Sequence, residues 1–229
     1  MKQKELLALA RNTNTSDLIR EASVIRDKGY GSLVTYSPKV FIPLTHLCRD
    51  VCHYCTFAKT PKRISSPYMS VEEVVDSAKK AEALGCKEAL FTLGERPELR
   101  YSTARKALSN MGYTTTLEYL KVASQAVIDN TGLLPHLNPG CMSLKEMMEL
   151  RSVSASMGMM LESSSERLCE KGGPHYGSPD KDPKKRLATL DSAGQAKVPF
   201  TTGILIGIGE TRQERVESLI DIRLSLIHI

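Results

Sequence analysis

Three cysteines crowd into eight residues, Cys48-Arg-Asp-Val-Cys52-His-Tyr-Cys55, in a chain of 229 residues that carries six cysteines in all. Thiolates spaced CxxxCxxC on one loop can wrap an iron–sulfur cube and ligate three of its irons. The fourth iron then has no protein ligand and stays open to a small cosubstrate. A structural zinc site is the alternative, with His46 or His53 as fourth ligand. Zinc loops are usually built from two separated ligand pairs, and the sequence offers no second pair. The cluster is therefore favoured over zinc, and an electron-carrying iron–sulfur protein stays open beside an enzyme. Cys86, Cys141 and Cys169 are scattered, and none is assigned to a metal. Crowded cysteines in a chain with no apolar leader read as metal ligands rather than as a disulfide framework.

The elements around this loop must hold it at one end of a sheet. Lys39 to Thr45 is apolar and β-branched and predicts a first strand, with the cysteine loop directly after it. Glu88–Leu93, Leu133–Leu137, Ser156–Leu161 and Pro199–Ile206 predict four more. Between them lie capped amphipathic stretches. Ser16 is expected to cap a helix running to about Gly29. Ser70 with Glu73, Ser143 with Glu146, and Thr211 with Glu214 read as capping boxes. Asp182-Pro183 opens another helix, and a helix pair covers about Thr103 to Asn130. Strands alternating with helices predict a parallel sheet with crossover helices, its strands apolar on both faces. About five βα units are visible where a complete eight-unit barrel takes about 250 residues. The expected fold is thus α/β, a partial (β/α) TIM-type barrel truncated after about the fifth unit. Residues 1–35 form an N-terminal helical segment, 36–223 the incomplete barrel, and 224–229 (LSLIHI) read as a non-native tail.

Composition narrows the function classes. Charged residues make up 25% and hydrophobic ones 41%, which predicts a packed globule rather than a disordered chain. No run is apolar for long enough to span a bilayer, and the charged N-terminus lacks a signal-peptide core, so a cytoplasmic protein without membrane contact is expected. The net charge of +5 is dispersed apart from Lys59, Lys62, Arg63 and Lys184–Arg186. No basic stripe is interleaved with aromatics, so nucleic-acid binding is not expected.

The segment VTYSPKVFIPLTHLCRDVCHYCTFAK resembles the core of the radical S-adenosylmethionine (SAM) enzymes of the FO synthase family. FTLGERPE, HLNPGCMS, LESSSERL, KGGPHYGSPDKDP and GILIGIGET extend the likeness over about Leu33 to Arg223. It points to the ring-closing subunit, or the N-terminal half of a fused enzyme. The resemblance implies a 4Fe-4S cluster on Cys48, Cys52 and Cys55, with SAM on the open iron. It implies a 5′-deoxyadenosyl radical that converts a tyrosine–ribitylaminouracil adduct into the deazaflavin FO of coenzyme F-420 biosynthesis. A one-electron donor of flavodoxin or ferredoxin type is implied, as is a partner subunit or fused half that couples tyrosine to the uracil. Rival readings are that coupling partner itself, or a biotin-synthase-like or hydrogenase-maturase-like radical SAM enzyme.

Further cofactor-binding candidates follow from position. The resemblance implies that the turn after the second strand grips the SAM ammonium, and here that turn is Gly94 with Glu95. Glu162 ends the fourth strand and suits ribose hydroxyls or the ammonium. Arg186 is implied by the resemblance to pair with the SAM carboxylate, for which its planar fork is suited. Gly203 and Gly207, with Gly209, let backbone approach adenine. Tyr54 is expected to shield the cluster and pack on adenine. His136 and Asn138, at the end of the third strand, are candidates to meet the organic substrate.

Overall fold

Each apolar run becomes a strand in the computed structural model, which describes residues 3–12 and 14–226. The strands are β1 (Lys39–Pro43), β2 (Glu88–Thr92), β3 (Leu134–Asn138), β4 (Ser156–Gly158) and β5 (Phe200–Thr201). All neighbours pair in parallel, in the order β1-β2-β3-β4-β5. Helices cross between them: α3 (Val71–Ala83), α4 (Ser102–Asn110), α5 (Thr116–Asn130), α6 (Leu144–Leu150) and α7 (Pro183–Ala196). α1 (Gln3–Leu9) and α2 (Thr15–Tyr30) precede the sheet and α8 (Arg212–Leu226) follows it. Sequential parallel order with helices on one side is the geometry of a barrel wall, here an open five-stranded arc. The tail read as non-native begins inside α8, and its residues 227–229 lie outside the described residues.

The two faces of the sheet differ. Ile42, Phe91, Leu137 and Met157 are fully buried on the helix side, against Val74 and Ala78 of α3 and Leu120 and Val127 of α5. Each such side chain contributes about 1.5–3 kcal/mol by leaving water. The concave face was expected to be apolar as well, and it is not. It carries Lys39 and Glu88 in one register layer and His136 and Ser156 in another, and Phe41 is 51% exposed there. A barrel lumen that serves a ligand needs polar groups, which breaks the two-faced apolar pattern of a buried parallel sheet.

Caps set the helix starts. The boxes Ser70/Glu73 and Ser143/Glu146 form reciprocally, and Thr115/Glu118 adds one that the sequence reading passed over. Thr211 and Glu214 exchange bonds of 3.1 and 2.6 Å at the start of α8. Asp182 caps α7, with Pro183 in its first turn. The cap of α2 is Asn14, not Ser16: the Asn14 carboxamide accepts from the Asp17 N–H, which moves the helix start two residues earlier, to Thr15. Ser70→Ala is expected to cost about 1 kcal/mol, read as a lowered urea midpoint at unchanged slope.

β4 and β5 are shorter than expected, and local hydrogen bonding explains why. The Thr202 hydroxyl takes the Leu161 N–H at 3.2 Å, a bond that ladder pairing would otherwise use. Glu162 then turns to φ +64° and meets Ile204 in a single isolated bridge. A left-handed residue ends a strand.

Candidate active site at the strand ends

The cysteine loop leaves β1 at the C-terminal edge of the sheet and is tied down on both sides. Gly94 donates its N–H to the Thr45 carbonyl at 2.9 Å, and the Arg49 N–H reaches the Glu95 carbonyl at 2.7 Å. Gly94 lies so close to the loop that a Cβ there would stand 1.9 Å from the Leu47 oxygen. Opposite, the His53 N–H binds the Pro174 carbonyl at 2.9 Å, and the Ser178 hydroxyl accepts the Val51 N–H at 3.0 Å. The loop is thus held between the turn after β2 and the segment before α7.

Cys48, Cys52 and Cys55 line one cavity of about 200 Å³, together with Asp50, Lys59, Arg100 and Tyr101. All six cysteines are free. The Cys48 sulfur accepts the Glu95 N–H at 3.2 Å, and the Cys52 sulfur lies 3.5 Å from the Ser178 hydroxyl. Burial pushes the Cys48 thiol up to about 12 and raises Cys52 as well, so a metal must displace their protons. Among the described residues, the one set of three candidate ligands with all ligating atoms within 4.8 Å of one another is Asp50, Glu95 and Asp180. The three sulfurs do not form such a set. One tetrahedral zinc with Zn–S near 2.3 Å would need sulfurs about 3.8 Å apart. Three free thiols around one cavity, two of them with hydrogen-bond donors, fit the corners of a cluster better than a single ion.

Tyr54 points away from solvent. Its hydroxyl donates to Glu162 and lies 2.9 Å from His175 Nε2. Glu162 also takes Lys181 Nζ at 2.7 Å and stands 3.1 Å from His175 Nε2. Burial works against the Glu162 charge, but the His175 bond and the Lys181 and Arg186 charges outweigh it and hold the carboxyl at about 2, against an ordinary 4.5. Such a depressed group stabilises the fold fully above about pH 4.5 and loses that contribution as pH falls through about 2. Glu162→Gln is expected to cost about 2 kcal/mol at neutral pH. Its stability gap to the parent should close as pH falls from 4.5 towards 2, followed by urea melts across that range.

Glu95 is buried. It accepts the Cys141 N–H at 2.5 Å and lies 3.8 Å from Arg186 Nη1. Burial raises it to about 7 despite that arginine, with Asp180 and Asp50 adding to the rise. The Arg186 guanidinium is also buried and turned to backbone: Nε donates to the Met160 carbonyl at 2.8 Å and Nη1 to the Asp180 carbonyl at 3.0 Å. The fork expected to face a ligand carboxylate is engaged with protein carbonyls. Asp180 forms a two-pronged ion pair with Arg49, and its N–H donates to Asp50 Oδ1 at 3.1 Å. Gly203 accepts the Glu162 N–H at 2.9 Å. Gly207 is exposed, at φ +95°, with its N–H on Glu210 at 2.9 Å, so there the glycine serves a turn.

The structure therefore brings Cys48, Cys52, Cys55, Tyr54, Gly94, Glu95, Glu162 and Arg186 to one edge of the sheet. Gly203 joins them through Glu162, and Gly207 stands apart. Asp50, Arg49, His175, Ser178, Asp180 and Lys181 complete the site and were not singled out from sequence. Their signal was the density of His, Ser, Asp and Lys within the Gly- and Pro-rich stretch before α7. Arg96, at φ 39°, ties the turn after β2 to the next loop by donating to the Cys141 carbonyl and to Glu146, each at 3.0 Å.

The radical SAM superfamily model matches residues 42–222. FO synthase of Streptomyces avermitilis is 51% identical over 228 residues, which cover 95% of this chain and 26% of that protein. The 7,8-didemethyl-8-hydroxy-5-deazariboflavin synthase of Methanopyrus kandleri is 53% identical over 191 residues, 83% of this chain and 57% of that one. The chain thus spans about a quarter of the first relative's length and little more than half of the second's. Among solved structures, the FeFe-hydrogenase maturase HydG from Carboxydothermus hydrogenoformans superposes with a TM-score of 0.74 at 23% identity, over 96% of this chain and 48% of that one. Methylornithine synthase (PylB) gives 0.72 at 20% identity, over 98% and 61%. These two share the fold. No helix among the described residues is long and apolar enough to cross a membrane. With three free thiols on the loop after β1, a parallel barrel wall behind them and a superfamily match across nearly all of that wall, the chain belongs to the radical SAM superfamily.

Proposed function

We propose that the protein to which this chain belongs closes the deazaflavin ring of FO, using SAM and a 4Fe-4S cluster on Cys48, Cys52 and Cys55. The observation that carries this reading is identity of 51–53% to proteins named FO synthase and deazaflavin synthase, aligned through the site. When bound, the cluster and SAM supply a reductively generated 5′-deoxyadenosyl radical that takes hydrogen from the tyrosine–ribitylaminouracil adduct. The chain's own residues hold that chemistry in place. The Glu95 N–H and the Ser178 hydroxyl stand against two of the sulfurs, where hydrogen bonds tune cluster potential. Tyr54, anchored on Glu162 and His175, fixes the loop between the second and third cysteines. The turn at Gly94 offers backbone to the SAM ammonium. Glu162 meets ribose hydroxyls or the ammonium by exchanging Lys181 or His175 for them. Arg186 takes the carboxylate by releasing the Met160 carbonyl, and Gly203 leaves room for adenine. A flavodoxin- or ferredoxin-type donor supplies the electron, and a partner subunit or fused half supplies the adduct. Six free cysteines suit the reducing cytoplasm.

The test is product identity. The whole protein, reconstituted without oxygen and given reductant, SAM and synthetic adduct, is expected to yield the deazaflavin and 5′-deoxyadenosine. A stable cluster that never cleaves SAM would indicate an electron carrier. Adduct formation from tyrosine and the ribitylaminouracil would indicate the coupling enzyme.

A further inference from the structure

The concave face carries a group that the cluster chemistry does not use. Phe41, Leu90, His136 and Ser156 stand side by side in register across β1 to β4. The His136 ring is fixed by its Nδ1, 2.7 Å from the Ser156 hydroxyl. The residue is only 8% exposed, yet Nε2 has no hydrogen-bond partner among the described residues. Among the described residues, only Asp50 Oδ2 and His175 Nδ1 are buried polar side-chain atoms without a partner, so the His136 Nε2 atom is open to the lumen, where a ligand can replace water as its partner.

Gly158, the next residue of β4 on this face, keeps that nitrogen uncovered. A Cβ there would stand 3.0 Å from Nε2 and 3.5 Å from Cε1. Any side chain at 158 would fill the space in front of the imidazole. Phe41 lies two strand spacings away, about 10 Å, with Leu90 as the floor between. It is half exposed and braced edge-on by Phe57 at a centroid distance of 6.0 Å. The layer below holds the Lys39–Glu88 ion pair. Burial, then the Lys39 charge, lowers the His136 pKa against the pull of Glu88, so the ring is mostly neutral at pH 7. A neutral imidazole either donates or accepts at Nε2.

We infer that His136 is a substrate-contacting residue, whose Nε2 hydrogen-bonds a heteroaromatic ring carrying carbonyl or N–H groups, bound over Leu90 between Phe41 and His136. The inference rests on the deazaflavin reading, and it assigns the uracil end of the adduct to this slot. Ser156 and Gly158 are positioning residues: one holds the ring's angle, the other keeps its free edge open.

Anaerobic calorimetry of the synthetic adduct binding to the reconstituted whole protein, without reductant, tests this apart from turnover. His136→Ala is expected to weaken adduct binding about tenfold or more, and Ser156→Ala about threefold. His136→Gln, which keeps an amide near Nε2, should recover much of the loss. Iron content, visible absorbance and SAM affinity should match the parent in all three. Unchanged adduct affinity in His136→Ala overturns the inference, as does a parallel loss of SAM affinity. Should His136→Ala fail to fold, parent-like affinity in both His136→Gln and Ser156→Ala overturns it. A parent protein that binds no adduct overturns the deazaflavin reading and this inference together, whereas unaffected variants overturn this inference alone.

Discussion

Cys52→Ala in the whole protein is expected to lower iron after anaerobic reconstitution from about four atoms per chain to background, and 5′-deoxyadenosine formation with it. Three thiolates hold three irons, and removing one leaves two irons open and the cube without a stable seat. Cys52 is the middle cysteine of the three, and the main chain around it is already fixed. Its carbonyl accepts the Cys55 N–H at 3.1 Å, and the preceding N–H is held by Ser178. The loop therefore has little freedom to recruit another donor. His53, its neighbour, is anchored through its N–H to the Pro174 carbonyl. Cys86→Ala is the control: that half-buried thiol packs on the hydrophobic core and should leave iron and activity unchanged. A Cys52→Ala protein that keeps its iron and still cleaves SAM, or a parent that carries stoichiometric zinc, would refute the three-thiolate assignment.

Gly94→Ala is expected to destabilise the fold by about 3 kcal/mol or more and to impair cluster loading at the same time. The added methyl would meet the Leu47 carbonyl oxygen at 1.9 Å, its carbon at 2.5 Å and the Cys48 Cα at 2.9 Å. All three are backbone atoms, so no rotamer change relieves the clash. Either the turn after β2 lifts away, breaking the Gly94–Thr45 hydrogen bond, or the loop shifts and carries Cys48 with it. For a chain of this size the loss corresponds to a thermal midpoint lower by about 6–12 °C. Parent-like melting and full iron content in Gly94→Ala would show that the two backbones are not in contact. The packing also bears on the turn's role. Whatever Gly94 offers to SAM, its lack of a side chain is already required by the cysteine loop.

The segment between β4 and α7 explains why so much of the chain serves three sulfurs. Ser178, Asp180 and Pro174 hold the loop's main chain and Arg49, while His175 and Lys181 hold Glu162 and, through it, Tyr54. Charged groups buried this far are retained when each has partners. Asp50 departs from that pattern: its Oδ2 is buried with no hydrogen-bond partner among the described residues, and burial raises its pKa.

The amino-acid sequence by itself determined the grouping of three thiols on one loop, the strand–helix alternation and most helix starts. Each of these is local: thiol spacing, a period of apolar residues, or a side chain reaching a backbone N–H three residues on. It misjudged matters that depend on what lies opposite. β4 and β5 stop early because the Thr202 hydroxyl competes with the ladder, and α2 starts at Thr15 because Asn14 reaches its N–H groups first. Tertiary structure alone decided that Arg186 faces backbone carbonyls, that Glu95 is buried beside it, and that His175, Lys181 and Asp180 belong to the site. Those partners lie up to 131 residues apart along the chain, as Arg49 and Asp180 do. Spacing rules carry no information over such separations, because the contacts exist only once the parallel sheet has brought its strand ends to one edge.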